Sequence, residues 1–235
     1  MTMKESVTSK TYDCWSWFYD RTFGALVRNR QIKAAHQVRV RPGDRVLDIG
    51  VGTGMLLPLY PLDVTVIGMD LSSGMLAKAA AKRDELGLEH CHLVRADAML
   101  PPFAPSSFDQ IVMTHTISVV SNPDKLVQWA AQLLKPRGRI ILLNHFLSAQ
   151  PFVAWFEKVL NPMFMKIGWR SDLSLEDVLD GTDLKIEYRF KMRMVDLWQI
   201  IVLTHTQPND TVPKASFTAQ QVSTLTATSL VADPG

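Results

Sequence analysis

The run Asp48-Ile49-Gly50-Val51-Gly52-Thr53-Gly54 constrains this chain more than any other segment. It follows Arg45-Val46-Leu47-Asp48-Ile49, which reads as a short buried strand, and it opens toward a helical stretch. Glycines are needed at such a junction because a Cβ would block both the tight turn and the close approach of a ligand to the backbone. A glycine loop alone is a weak signal. Here it is paired with an acid, Asp70, at the end of the second expected strand, Val64 to Met69. A carboxylate at that place can accept hydrogen bonds from ribose hydroxyls. A dinucleotide loop reads GxGxxG, which would put the third glycine at position 55. That residue is Met55 and the third glycine is Gly54, so the loop reads GxGxG.

The rest of the chain alternates between strand and helix signals. Residues 6 to about 40 read as helical, and Arg41-Pro42-Gly43-Asp44 as a turn. Ser72 can cap a helix running through Met75, Leu76 and Ala79. His92 to Arg95 and Phe108 to Met113 read as the third and fourth strands, with a helix from Pro123 to Leu134. Lys135-Pro136-Arg137-Gly138 reads as a turn, and Arg139 to Asn144 as the fifth strand. Tyr188–Lys191 and Asp196–His205 supply two more. This alternation implies an α/β fold with a mostly parallel sheet and helices on both faces. At 235 residues one main domain is expected. We divide the chain into an N-terminal segment, 1–44, a domain, 45–206, and a Thr/Ser/Ala/Pro-rich stretch, 207–235, expected to be disordered.

The GxGxG loop resembles motif I of the class I S-adenosylmethionine-dependent methyltransferases. Asp70-Leu71-Ser72-Ser73-Gly74-Met75-Leu76 resembles that family's second-strand segment. Arg95-Ala96-Asp97-Ala98, Phe108-Asp109 and Leu134-Lys135-Pro136-Arg137-Gly138-Arg139 resemble its later segments, in order, over residues 45–145. The resemblance implies a Rossmann-like seven-stranded sheet, with S-adenosyl-L-methionine as cofactor and S-adenosyl-L-homocysteine as product. It implies that Gly50, Gly52, Gly54 and the nearby backbone hold the methionine moiety, and that Asp48 orients the loop or the methionine amine. Asp70 would bind the ribose, Leu71 or Met75 would lie beside the adenine, Asp97 would face the adenine amine, and Ala98 would pack near the ring.

Three further segments resemble the small bacterial phospholipid N-methyltransferases of the Rhodobacter-type phosphatidylethanolamine branch and its ornithine-lipid relatives. They are Tyr19-Asp20-Arg21-Thr22-Phe23-Gly24, His115-Thr116-Ile117-Ser118-Val119-Val120-Ser121-Asn122-Pro123, and Asn144-His145-Phe146 followed by Ile167-Gly168-Trp169-Arg170-Ser171-Asp172-Leu173. That resemblance implies a membrane lipid as the methyl acceptor. Residues 151–170 mix Phe152, Trp155, Phe156, Phe164 and Trp169 with Lys158, Lys166 and Arg170, a pattern suited to a headgroup layer. Lys166 and Arg170 are candidates for a lipid phosphate or carboxylate. Residues 1–45 carry nine Lys/Arg against four Asp/Glu, an excess that suits an anionic membrane surface.

A lipid ammonium must lose its proton before it attacks a methyl carbon. His115 and His145, near strand ends, and Tyr19 are the candidate catalytic residues. A lone histidine at a strand end is more often structural than catalytic, and the alternative for the aromatics of 151–170 is that they cover the sheet and close the pocket. The rival reading is a C-methyltransferase of a quinone or sterol type. A nucleic-acid enzyme is disfavoured: net charge is only +2, and Asn122-Pro123 lies too far past the fourth strand to clamp a base amine. The two cysteines, Cys14 and Cys91, form no paired motif, and the first ten residues are polar. The expectation is a cytoplasmic protein, peripheral to the inner face of the membrane, with no metal and no obligate protein partner.

Overall fold

The computed structural model describes residues 23–146, 173–192, 196 and 198–206. The expectations for residues 1–22, the 151–170 stretch and 207–235 lie outside the described residues. The elements are α1 (Phe23–Ala35), β1 (Arg45–Ile49), a 3-10 turn (Leu57–Leu59), β2 (Thr65–Asp70), α2 (Ser73–Glu85), β3 (Cys91–Arg95), β4 (Phe108–Thr114), α3 (Pro123–Leu133), β5 (Leu134–His145), α4 (Leu175–Leu179), β6 (Leu184–Phe190) and β7 (Trp198–His205). The strands form one seven-stranded sheet in the order β3-β2-β1-β4-β5-β7-β6. All pairings from β3 to β5 are parallel, and β7 runs antiparallel to both of its neighbours. This is the mostly parallel sheet expected from the sequence, closed by an antiparallel hairpin.

Both faces of the sheet are covered, which explains why the central strands are apolar without alternation. Ile49, Met69, Ile111, Met113, Ile140 and Leu142 face α3 and α4, where Leu126, Ala130 and Val178 meet them. Val46, Val66, Val112, Ile141, Leu143 and Val202 face the other way, with Ala34 and Ala35 of α1 and Ala79 of α2. The strand order reverses between β1 and β4, so the carboxyl ends of these two strands border the crevice where open α/β sheets bind ligands.

Several local expectations change. The N-terminal helix stops at Ala35 and gives way to a turn at His36 and Gln37, before the extended approach to Pro42. Residues 135–138 are a bulge inside β5. Phe108 pairs with Leu134 while Gln110 already pairs with Arg139, so these four residues are looped out opposite Asp109. Lys135 closes the bulge onto Asp109 at 2.7 Å, and a Cβ on Gly138 would lie 2.8 Å from the Asp109 carbonyl. β6 begins at Leu184 rather than Tyr188, because as an edge strand it tolerates the half-buried Lys185 and the exposed Ile186 and Glu187 that hide its pattern. The cap at Ser72 is as expected: its Oγ accepts from the Met75 amide at 3.1 Å. Among the described residues, no helix is long and apolar enough to cross a membrane.

Candidate active site at the carboxyl ends of β1, β2 and β4

The chain leaves β1 through three left-handed glycines, Gly50 (φ +76°), Gly52 (φ +56°) and Gly54 (φ +72°). Each uses a conformation that side chains rarely adopt. Two of them also lack room. A Cβ on Gly50 would lie 2.4 Å from Thr116 Oγ1, and one on Gly54 would lie 2.7 Å from Leu57 Cδ1 and 3.1 Å from Ala79 Cβ. Gly54 therefore seats the loop on α2, and Gly50 seats it on the segment after β4. Thr116 completes that contact by donating to the Ile49 carbonyl at 2.8 Å.

Four of the loop's amides are bonded within the protein. Gly50 N and Val51 N both donate to the Met69 carbonyl, at 2.8 and 3.1 Å, and Gly54 N donates to Val51 O. Gly52 N donates to Asp70 Oδ2 at 2.9 Å. A phosphate-binding loop presents amides to its ligand. This loop spends them internally and gathers carboxylates instead, which suits a ligand carrying positive charge.

Asp70, at the end of β2, accepts from Gly52 N with one oxygen and from Ser72 N with the other, both at 2.9 Å. The carboxylate is thus fixed across the mouth of the loop, and each oxygen keeps further accepting capacity. Asp48 is 1% exposed, and Tyr60 donates its hydroxyl to Asp48 Oδ2 at 2.9 Å. Asp48 Oδ1 is buried and meets no hydrogen-bond donor among the described residues. Burial, with a smaller contribution from the charge of Asp70, pushes the Asp48 carboxyl up to about 7, against the opposing pull of the Tyr60 hydroxyl. Asp97 accepts from the Met99 amide at 2.8 Å in the turn after β3. Leu71 is 37% exposed and Met75 only 6%, so Leu71 is the open apolar side chain of the two. Ala98 is half-buried against the core.

A second group gathers where β4 ends. His115 has φ +61°. In an extended strand it would face away from Thr114; the left-handed turn instead brings its ring edge-on to Trp198 of β7, with centroids 6.2 Å apart. Arg30 of α1 lies over the same indole, 4.7 Å from its centroid, and its Nε donates to both carboxylate oxygens of Asp196 at 3.0 Å. Gln31 reaches Thr114 Oγ1 at 3.4 Å. Burial first, and the Arg30 charge second, hold the His115 imidazole down at about 4, so it is neutral at physiological pH. His145 is buried at the end of β5 and pairs across the strands with Trp198. Tyr19, Lys166 and Arg170 lie outside the described residues. Sequence reasoning missed Tyr60, Thr116, Arg30 and the Asp196–Trp198 pair, and only Tyr60 and Thr116 stood near a motif that drew attention to them.

A family model described as a methyltransferase domain matches residues 47–142, the span from β1 through most of β5. A phosphatidylethanolamine N-methyltransferase of Cereibacter sphaeroides is 36% identical over 78% of this chain and 90% of its own length. The chain is a class I S-adenosylmethionine-dependent methyltransferase. A demethylmenaquinone methyltransferase of Clavibacter sepedonicus is 31% identical over 71% of each chain. Among solved structures, the YcgJ protein of Bacillus subtilis superposes with a TM-score of 0.59 at 27% identity, over 69% of this chain and 70% of that one. The methyltransferase uses S-adenosylmethionine as cofactor, and the site fits it. The molecule is cationic at its sulfonium and its ammonium, and the loop brings together Asp48 and Asp70, with Asp48 Oδ1 buried and without a donor among the described residues.

Proposed function

We propose that this methyltransferase acts on the amine of a membrane lipid headgroup, phosphatidylethanolamine or an ornithine-type lipid, in the cytoplasm at the inner face of the membrane. The observation that carries the reading is the 36% identity to a phosphatidylethanolamine N-methyltransferase, spread over 90% of that enzyme. The basic excess of residues 1–45 and the aromatic and cationic side chains of 151–170 support it, with Lys166 and Arg170 for the headgroup anion and Tyr19 to offer the amine a hydrogen bond or its ring face.

When bound, the cofactor supplies a methyl group for in-line displacement by the amine nitrogen. Gly50, Gly52 and Gly54 let the backbone approach its methionine end, and Asp48 answers the charge there. Asp70 takes the ribose hydroxyls, with Leu71, Asp97 and Ala98 around the adenine. Asp70→Ala is expected to weaken S-adenosylhomocysteine binding by about 1–3 kcal/mol in calorimetry; wild-type affinity would remove the ribose contact. The neutral His115 ring can accept a hydrogen bond from the amine and hold its nitrogen in line, which is where most of the enzyme's leverage lies. Burial beside it favours the uncharged amine, so the proton is shed as the headgroup enters. That proton leaves to solvent or to His145, since a His115 ring held down at about 4 does not keep it.

The test is direct. Purified protein, methyl-labelled cofactor, defined phosphatidylethanolamine or ornithine-lipid vesicles and a demethylated quinone are incubated in parallel. Label on the lipid amine is the expected result. Label on the quinone alone would overturn the lipid reading in favour of the C-methyltransferase reading, which the menaquinone relative supports.

A further inference from the structure

We propose that Tyr60 is a positioning residue for cofactor binding. It locks one oxygen of Asp48 and keeps the other as the acceptor for the cofactor's α-ammonium. The geometry is specific. Tyr60 follows the 3-10 turn Leu57–Leu59, is 3% exposed, and donates to Asp48 Oδ2 at 2.9 Å. The turn is itself placed by Gly54, whose missing side chain makes room for Leu57. The loop therefore delivers Tyr60 to Asp48, two residues before the first loop glycine. Asp48 Oδ1 is left buried with no donor among the described residues. A buried carboxylate oxygen without a donor is costly, and more so when charged. A ligand ammonium would remove that cost, and the amides of Gly50, Val51, Gly52 and Gly54, already bonded within the protein, do not.

The titratable groups that face Asp48 are Tyr60, Asp70 across the loop, and Cys91 at the start of β3. Asp70 disfavours the carboxylate and Tyr60 favours it. Cys91 is held up at about 11, chiefly by burial, and so stays a neutral thiol. In the absence of a cation Asp48 is therefore close to half-protonated at neutral pH. Binding an ammonium draws it to the carboxylate and releases a proton, because the ligand binds only the ionised form. Removing the Tyr60 hydroxyl takes away the one group that favours ionisation, so the variant pays a larger proton cost at low pH.

The experiment is calorimetry of S-adenosylhomocysteine on wild type, Tyr60→Phe and Asp48→Asn from pH 6.5 to 8, in buffers of different ionisation enthalpy so that proton release is counted. 5′-Methylthioadenosine, which lacks the amino-acid end, is the control ligand. We expect Tyr60→Phe to weaken S-adenosylhomocysteine about tenfold at pH 6.5 and only about twofold at pH 8, following a carboxyl displaced upward by about one pH unit. Proton release per ligand should grow in that variant and vanish in Asp48→Asn, and methylthioadenosine should bind all three proteins alike. A loss that is equal at both pH values, or equal for methylthioadenosine, would mean that Tyr60 only supports the fold. Undiminished binding in Tyr60→Phe would also overturn the proposal, as would unchanged proton release in Asp48→Asn.

Discussion

Gly50→Ala is expected to abolish measurable cofactor binding and to destabilise the fold by about 3–5 kcal/mol, a large part of the stability of a domain this size. Two costs add. The backbone at φ +76° is one that an alanine adopts at about 1–2 kcal/mol. The new Cβ would lie 2.4 Å from Thr116 Oγ1 and 3.0 Å from its Cγ2, so either the loop or the segment after β4 must move. Moving it breaks the Thr116–Ile49 hydrogen bond and detaches the loop from its seat. The two costs separate in a double variant. Thr116→Gly in the Gly50→Ala background clears the clash but not the backbone strain. It should recover part of the melting temperature and leave a deficit of about 1–2 kcal/mol against Thr116→Gly alone, which has itself lost the hydrogen bond to Ile49. Full recovery would show that the left-handed conformation is not costly here, and no recovery would show that Thr116 is not the obstacle.

The second large effect is at His115. Substitution by asparagine, which tolerates the left-handed conformation better than most residues, should lower lipid methylation about 10²-fold or more while S-adenosylhomocysteine binding survives. The pH profile is the more discriminating reading. Since the imidazole is held down at about 4, the wild-type rate should show no break near the ordinary histidine value of 6.5, and should instead rise with deprotonation of the lipid amine. Stability carries a matching signature. A base whose folded pKa is depressed stabilises fully above its unfolded value and loses that contribution as pH falls toward the folded one. The difference between wild type and His115→Asn should therefore hold constant above pH 6.5 and shrink by up to about 3 kcal/mol on descent to pH 4. Asp48 works in the opposite sense: its raised pKa gives stability that is complete below 3.8 and is lost as pH rises through about 7. The two nearly cancel in the intact protein, so the comparison with the variant is what exposes either one. An equal loss of melting temperature and of activity at every pH would make His115 structural.

The cofactor half of the site was legible in the sequence because its chemistry is local. Asp48, the three glycines, Asp70 and Ser72 lie within one strand-loop-strand-helix unit, and turn requirements and helix capping follow from neighbouring residues. The other half was not. Arg30 meets Asp196 across 166 positions, and no periodicity relates them. His115 looked like the residue that follows an ordinary strand; that its φ is positive, and that its ring consequently turns back toward Trp198, follows from packing between β4, β7 and α1. The fifth strand was misjudged at its start because Lys135-Pro136-Arg137-Gly138 has turn composition, yet Asp109 and the Gly138 contact hold it in the sheet as a bulge. Tyr60 was overlooked because an apolar run around a 3-10 turn says nothing about which hydroxyl meets which carboxylate.

The position of β7 between β5 and β6 has a consequence for the order of assembly. Chain order and spatial order disagree among the described residues: their last strand occupies an inner place, and the strand made before it becomes the edge. Until residue 205 has been synthesised, β5 presents an open row of backbone donors and acceptors along Ile140–His145, and β6 has nothing to pair with. A nascent chain can complete the β1–β2–β3 unit and its glycine loop early, but Trp198, which backs His115, arrives only with the final strand. The glycine loop thus forms before the wall behind His115 exists. A message cut short anywhere before residue 198 would yield a protein with an exposed, aggregation-prone sheet edge and no wall behind its histidine.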